Sequence, residues 1–388
     1  MKVVLSRDFL ALILSVAVVG LGLGATLPLT ALALTQAGHG SGVVGLMTAM
    51  QAGGGLLVAP FAGRVTARYG AREIIVVTVI VAACATIAMQ FTSNLWLWAA
   101  LRLVFGAALM LLFTIGEAWV TQLADDATRG RVVALYATNF TLFQMTGPVL
   151  VNVIGGWPAL RFAICGAIFL LALPALASIR GQPHALAPDP DESAHGNWRD
   201  VLPRMPALVI GTGFFALFDT LALSLMPLFA MAHGVSQDLG VLFASAILLG
   251  DTTMQFPIGW LADRFGRAKV HACAGIVVVA LLPVLPWAVA TPWLCWPLLF
   301  VTGAAAGSVY TLSLVACGER FRGPSLVSAT AIVGASWSVA SFGGPIVAGT
   351  LMQRVGANAL VGVLTAAAGA FLVAAWWERR RGMERGSG

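Results

Sequence analysis

An all-α membrane protein, with twelve transmembrane helices in two pseudo-symmetric bundles of six, is predicted by three observations. Hydrophobic residues make up 59% of the 388-residue chain and mean hydropathy is +0.91, outside the range of soluble domains. The apolar residues gather into twelve stretches of roughly 18–28 residues, each long enough to cross a hydrocarbon core of about 30 Å. One long polar, proline-rich interruption, Arg180 to Pro203, divides them six and six.

The first stretch, 9–34, follows Lys2 and Arg7 and so imitates a secretory signal. It exceeds the apolar region of such a signal, about 7–15 residues, and reads as a retained first helix. The next five are 43–63, 74–92, 95–122, 132–154 and 159–179; beyond the interruption come 205–231, 239–262, 270–290, 293–317, 325–351 and 358–377. Hydrocarbon offers no partner to backbone N–H and C=O groups, so every span must be helical. The domains expected are an N-terminal bundle over 1–180, a cytoplasmic linker over 181–203, and a C-terminal bundle over 204–388 ending in a short basic tail.

Net charge is +6, but the basic residues lie in small groups between apolar runs rather than on one domain, which argues against a nucleic-acid partner. All but Arg102, Arg161 and Arg354 of the 22 Lys and Arg fall at the two termini, in the central linker or in hinges that follow even-numbered spans. By the positive-inside rule both termini are cytoplasmic, and the bilayer is the chain's principal surroundings. The five cysteines (Cys84, Cys165, Cys273, Cys295, Cys317) sit inside apolar runs without C-x-x-C spacing and read as small buried hydrophobes, neither disulfides nor metal ligands. No Gly-Lys-Ser/Thr of a phosphate loop occurs, so no cofactor or ATP site is expected.

The halves repeat. Asp263-Arg264-Phe265-Gly266 answers Ala67-Arg68-Tyr69-Gly70 at an offset of 196 residues, and Gly344-Pro345 answers Gly147-Pro148 at 197. The hinge Gly259-Trp-Leu-Ala-Asp263-Arg264-Phe-Gly266-Arg267-Ala-Lys269 concentrates charge between two apolar runs. With that repeat around it, this hinge resembles the signature loop of the major facilitator superfamily. The first-half copy matches at Gly63, Arg68, Gly70 and Arg72 but has Ala67 where the family carries aspartate. Arg102-x-x-x-Gly106 resembles a second family motif, and Gly147-Pro148 is a fragment of a third. Glu117-Ala118-Trp119 with Thr128-Arg129-Gly130-Arg131 is similar to a bacterial inner-membrane branch that includes YcaD-type transporters. The resemblance implies two bundles rocking about a central site, with spans 1, 4, 7 and 10 along the path. It also implies a gating role for the loops: Asp263 would meet the positive N-terminal end of span 5, near Arg131, a part Ala67 cannot play.

Four ionisable side chains fall inside spans, where a charge costs several kcal/mol and is a functional candidate. Arg102 lies roughly 10 Å inside its helix; it holds a substrate anion, tunes a nearby acid, or is a structural arginine capped by carbonyls. Glu117, about 22 Å further along, is a proton carrier or, more simply, an acid bonded to arginines at the cytoplasmic face. Asp219, near the middle of span 7, has no Lys or Arg deep in the second half to neutralise it, so it is protonated or binds a cation. Asp251 on span 8 would share its proton if the two faces meet. Gln51, Asn139, Gln144, Tyr310 and Trp337 line the cavity or bridge helices.

The expected activity is secondary transport by alternating access: proton-coupled export of a small hydrophobic, neutral or weakly cationic compound by a monomer in the bacterial inner membrane. Uptake of a neutral or sugar-like metabolite is the alternative within that class. A non-transporting receptor or assembly protein on the same scaffold is the alternative outside it. No His/Asp/Cys constellation at mid-depth supports an enzyme.

Overall fold

The computed structural model describes residues 7–123, 129–179 and 198–386. Among them there is no strand. The first half supplies α1 (Arg7–Gln36), α2 (Ser41–Tyr69), α3 (Ala71–Phe91), α4 (Leu95–Leu123), α5 (Arg129–Ile154) and α6 (Arg161–Ala177). The second supplies α7 (Pro206–Ser224), α8 (Gln237–Phe265), α9 (Arg267–Ala288), α10 (Pro292–Arg320), α11 (Pro324–Val355) and α12 (Ala359–Gly386). Among the described residues 10 helices are long and apolar enough to cross a membrane. The other two positions hold α5, with 26 residues, and the shorter α6, broken at Leu171 into pieces of 10 and 6. α7 is also interrupted, at Leu225, before a short helix Met226–Ala232. Most of the expected linker, 180–197, lies outside the described residues.

The chain forms two compact units, one of Met1–His39 and Leu46–Pro188, the other of Gly40–Gly45 and Asp189–Gly388. Their internal geometry repeats. Gly38 and Gly234 follow α1 and Met226–Ala232 with φ of 84° and 83°, and Gly70 and Gly266 separate α2 from α3 and α8 from α9 with φ of 88° and 94°. Each pair is 196 residues apart, and the left-handed backbone explains why glycine stands at all four.

Helix crossings repeat as well. In the first unit Gly54 packs on the Leu103 carbonyl and Gly106 on the Gln51 carbonyl, bringing the main chains of α2 and α4 together. In the second, Gly250 packs on Phe300 and Gly303 on Ile247, so that α8 and α10 meet the same way. Such main-chain approach excludes any Cβ and is the means by which helices associate where lipid rewards no apolar burial. α1 and α5 cross similarly, with Gly20 and Gly24 on the Phe140 and Gln144 carbonyls and Gly147 against Gly24. The first unit's core gathers Phe9, Phe105, Trp119 and Phe169, with Phe105 and Phe169 edge to face at 5.7 Å.

One expectation is corrected. All five cysteines are free, but only Cys165, Cys295 and Cys317 are buried; Cys84 and Cys273 lie on exposed faces of α3 and α9. A thiol is apolar enough to stand on an outer, lipid-directed face, so its place in an apolar run does not fix burial.

The crossings give a direct test. Gly250→Val should lower the thermal stability of detergent-purified protein by the equivalent of about 1–3 kcal/mol, as overpacking does. Gly259→Ala, at a helical position with no atom within 4 Å of a new Cβ, should be neutral or stabilising.

Candidate functional site

In the second unit, the mid-span candidates of α7, α8, α10 and α11 come together. Asp219 is half-buried on α7, and Asp251, 6% exposed on α8, is near enough for their charges to interact. Oδ1 of Asp251 accepts from Gln255 Nε2 at 3.3 Å and lies against the bare Cα of Gly307 on α10, in space that a Cβ would fill. One helical turn before Asp219, Phe215 stacks on Tyr310 with centroids 5.1 Å apart and planes at 14°. Trp337 of α11 meets both rings edge-on, at 5.8 Å from Phe215 and 5.1 Å from Tyr310. Beside Asp219, Thr220 donates to Ser341 at 3.2 Å. Among the described residues no Lys or Arg forms an ion pair with either carboxylate.

This arrangement has a definite chemistry. Two carboxylates close enough to interact repel in a medium of low dielectric, and a proton or a cation bound there relieves the repulsion. The faces of the aromatic trio offer negative quadrupole to a cation and apolar area to a hydrophobe.

The first unit is arranged differently. Arg102 is 0% exposed, its guanidinium lies 5.5 Å from the Phe105 ring centroid, and none of its three side-chain nitrogens has a hydrogen-bond partner. Gln51 Oε1, on the adjoining helix, is likewise buried without a donor. Asn139 bridges helices instead, its Nδ2 donating to the Ile13 carbonyl of α1 at 2.8 Å. Gln144 is buried at the α1–α5 crossing. Glu117 is on an exposed face of α4, its charge within reach of Tyr136.

At the hinge 259–269 the charges form a network that reaches five helices, α7, α8, α9, α10 and α12. Arg267 donates from Nε and Nη2 to Asp263 Oδ1 at 3.2 and 2.9 Å, and its Nη1 pairs with Glu319 of α10. Arg320 pairs with Glu378 of α12, whose second oxygen accepts the Ala207 N–H at the start of α7 at 3.1 Å. Arg379 donates to the Ala268 carbonyl, and Arg264 stacks between Trp260 and Phe265. Gly259 and Gly266 have open space around them. In the first-half hinge Arg68 lies over Tyr69, Arg72 reaches the Ala177 carbonyl at 3.2 Å, Gly63 is open and Gly70 supplies the turn. Arg129 and Arg131 fall among residues whose side chains are not described.

Sequence reasoning missed His271. It is 8% exposed beneath this network, with Nε2 at 3.0 Å from the Val309 carbonyl and 3.1 Å from Ser313 Oγ. A carbonyl only accepts, so the imidazole donates from Nε2. Its sequence signal, a lone histidine two residues past Lys269, resembles a loop residue until α10 is folded against it.

Comparison with known proteins places these features in a family. The model of the Major Facilitator Superfamily matches residues 12–251 and 208–387. Among curated relatives, an uncharacterised MFS-type transporter of Bacillus subtilis, YfkF, is 25% identical over 89% of this chain and 88% of its own. Another, YE1530 of Yersinia enterocolitica, is 26% identical over 82% of this chain and 81% of its own. Solved structures of the same fold include the nucleoside transporter NupG (TM-score 0.78, 13% identity, 97% of this chain and 99% of that one). A D-xylose–proton symporter matches with TM-score 0.73 at 16% identity, over 95% of this chain and 97% of that one. With both halves matched by one family model and the fold shared end to end, the chain belongs to the major facilitator superfamily and is a multi-pass membrane transporter for a small molecule.

Proposed function

We propose that the protein is a proton-coupled secondary transporter that exports a small hydrophobic, neutral or weakly cationic compound by alternating access across the bacterial cytoplasmic membrane. Its termini and the linker 181–203 face the cytoplasm. The observation that carries this reading is the interacting pair Asp219 and Asp251, with Phe215, Tyr310 and Trp337 one helical turn away and, among the described residues, no basic side chain paired to either acid. A cationic solute and a proton would compete for the same carboxylates, and that competition is coupling in its simplest form. An anion carrier would need positive charge here. Arg102 supplies the single deep positive charge of the first unit and in this reading tunes or orients rather than grips. Glu117, being exposed, serves as a lesser proton site.

Uptake of a neutral metabolite is the second reading, since the same fold serves a D-xylose–proton symporter and a nucleoside transporter. A thermal-stability screen of purified protein separates the two. Lipophilic amines should stabilise it by about 2.7 kcal/mol at a hundredfold excess over Kd; stabilisation by sugars or nucleosides alone would favour uptake. A protein in liposomes that neither binds nor moves any solute or proton would be a scaffold rather than a transporter.

Asp219→Asn should abolish substrate-driven proton movement in proteoliposomes while leaving the protein inserted and folded; full coupled flux in that variant would overturn the assignment. Gly307→Ala, which adds one methyl where the Asp251 carboxylate rests, should imitate Asp251→Asn by weakening coupling at least tenfold. The hinge 259–269 acts as a conformational latch. Asp263→Ala, which takes one of two acids from Arg267, should shift cysteine-accessibility labelling away from the outward-open pattern, and unchanged labelling would rule the latch out.

A further inference from the structure

Outside the carboxylate site, a second cavity of about 310 Å³ is lined by Arg204, Arg320, Phe321, Arg322 and Ser325. Among the described residues no acid lines it. Its parts come from three chain segments: Arg204 ends the turn Leu202–Arg204 before α7, Arg320 is the last residue of α10, and Ser325 lies in the first turn of α11. That first turn adds the positive end of a 32-residue helix whose N-cap, Gly323, contributes no side-chain cap. Below, Phe321 is 6% exposed in an apolar cluster with Val201, Met205, Leu208 and Cys317, so the strands of chain bearing the arginines are fixed relative to one another. Arg320 is paired to Glu378, whereas among the described residues Arg204 and Arg322 pair with no carboxylate.

The guanidinium groups of Arg204 and Arg322, at one small cavity, repel each other, and a phosphate between them removes the repulsion with hydrogen bonds of matching geometry. The cavity sits where helices end, at headgroup depth. Trp198, 56% exposed with the Arg199 guanidinium 5.4 Å from its ring, adds an aromatic–basic pair of the kind that marks the membrane interface. We infer that this cavity binds the phosphate of an anionic phospholipid headgroup. The lipid's acyl chains would lie in the bilayer while Arg204, Arg322 and Ser325 hold its phosphate.

Purified full-length protein is tested by native mass spectrometry and by thermal unfolding, in detergent alone and with phosphatidylglycerol, phosphatidylcholine or inorganic phosphate. Wild type should retain phosphatidylglycerol in preference to phosphatidylcholine and be stabilised by it. Each of Arg204→Gln and Arg322→Gln should weaken that binding about fivefold, the worth of roughly one basic residue at a membrane surface. Equal stabilisation of wild type and variants by phosphatidylglycerol would overturn the site. Competition by millimolar phosphate that removes the lipid's effect would reassign it to a soluble phosphate. Should the variants fail to fold, the wild-type measurement still decides, because equal retention of the two lipids overturns the inference.

Discussion

Main-chain contact between helices is the constraint from which the rest of this structure follows. Lipid is as apolar as leucine, so helices gain little by burying side chains and must gain from close approach. Gly250 and Gly303 bring α8 and α10 together backbone to backbone. One residue past Gly250 stands Asp251, and one turn past Gly303 stands Gly307, against which that carboxylate rests. The contact that holds the second unit together therefore also seats its buried acid. The first unit has the same crossing, at Gly54 and Gly106, but among the described residues no acid lies against those glycines. Duplication supplied the scaffold twice, and the carboxylate chemistry was placed on only one copy.

Much of this was legible in the chain itself because its signals are local. Twelve apolar stretches, the polar interruption and the repeated glycines declare spans, halves and duplication without reference to distant contacts. Asp219, Tyr310 and Trp337 stand out as polar or amphipathic residues in apolar runs, and the fold gathers them. What stayed hidden depends on contacts across large separations. Nothing near Gly307 announces that Asp251 will lie on it, nor does anything near Arg320 announce Glu378. Asn139 looked equally suited to a cavity or a bridge until its amide met the Ile13 carbonyl. Cys84 and Cys273 show the opposite limit, since an apolar run tells that a residue is in the membrane but not which side of the helix it occupies.

Charge in this protein is divided by depth. The network around Arg267, Arg320 and Glu378 joins the ends of α7, α8, α9, α10 and α12, with ion-paired side chains 19–65% exposed. Exposed pairs contribute only about 0–1 kcal/mol each, so the network adds little to stability. Mid-span charge works under the opposite rule: few groups, deeply placed, each costly without a partner. Arg102, fully buried with its nitrogens unmatched, is such a placement in the first unit, and the Gln51 oxygen of the adjoining helix is unmatched as well.

The bare backbone at Gly307 also bears on redesign. One wall of the acidic site is main chain, and main chain cannot be altered by substitution. Mutation at 307 can only subtract space, so any attempt to reshape this site has to work through the side chains around it, the rings and hydroxyls of α7, α10 and α11. Selection faces the same restriction as the engineer, and on the proposed function variation in cargo among relatives should be written in those three helices.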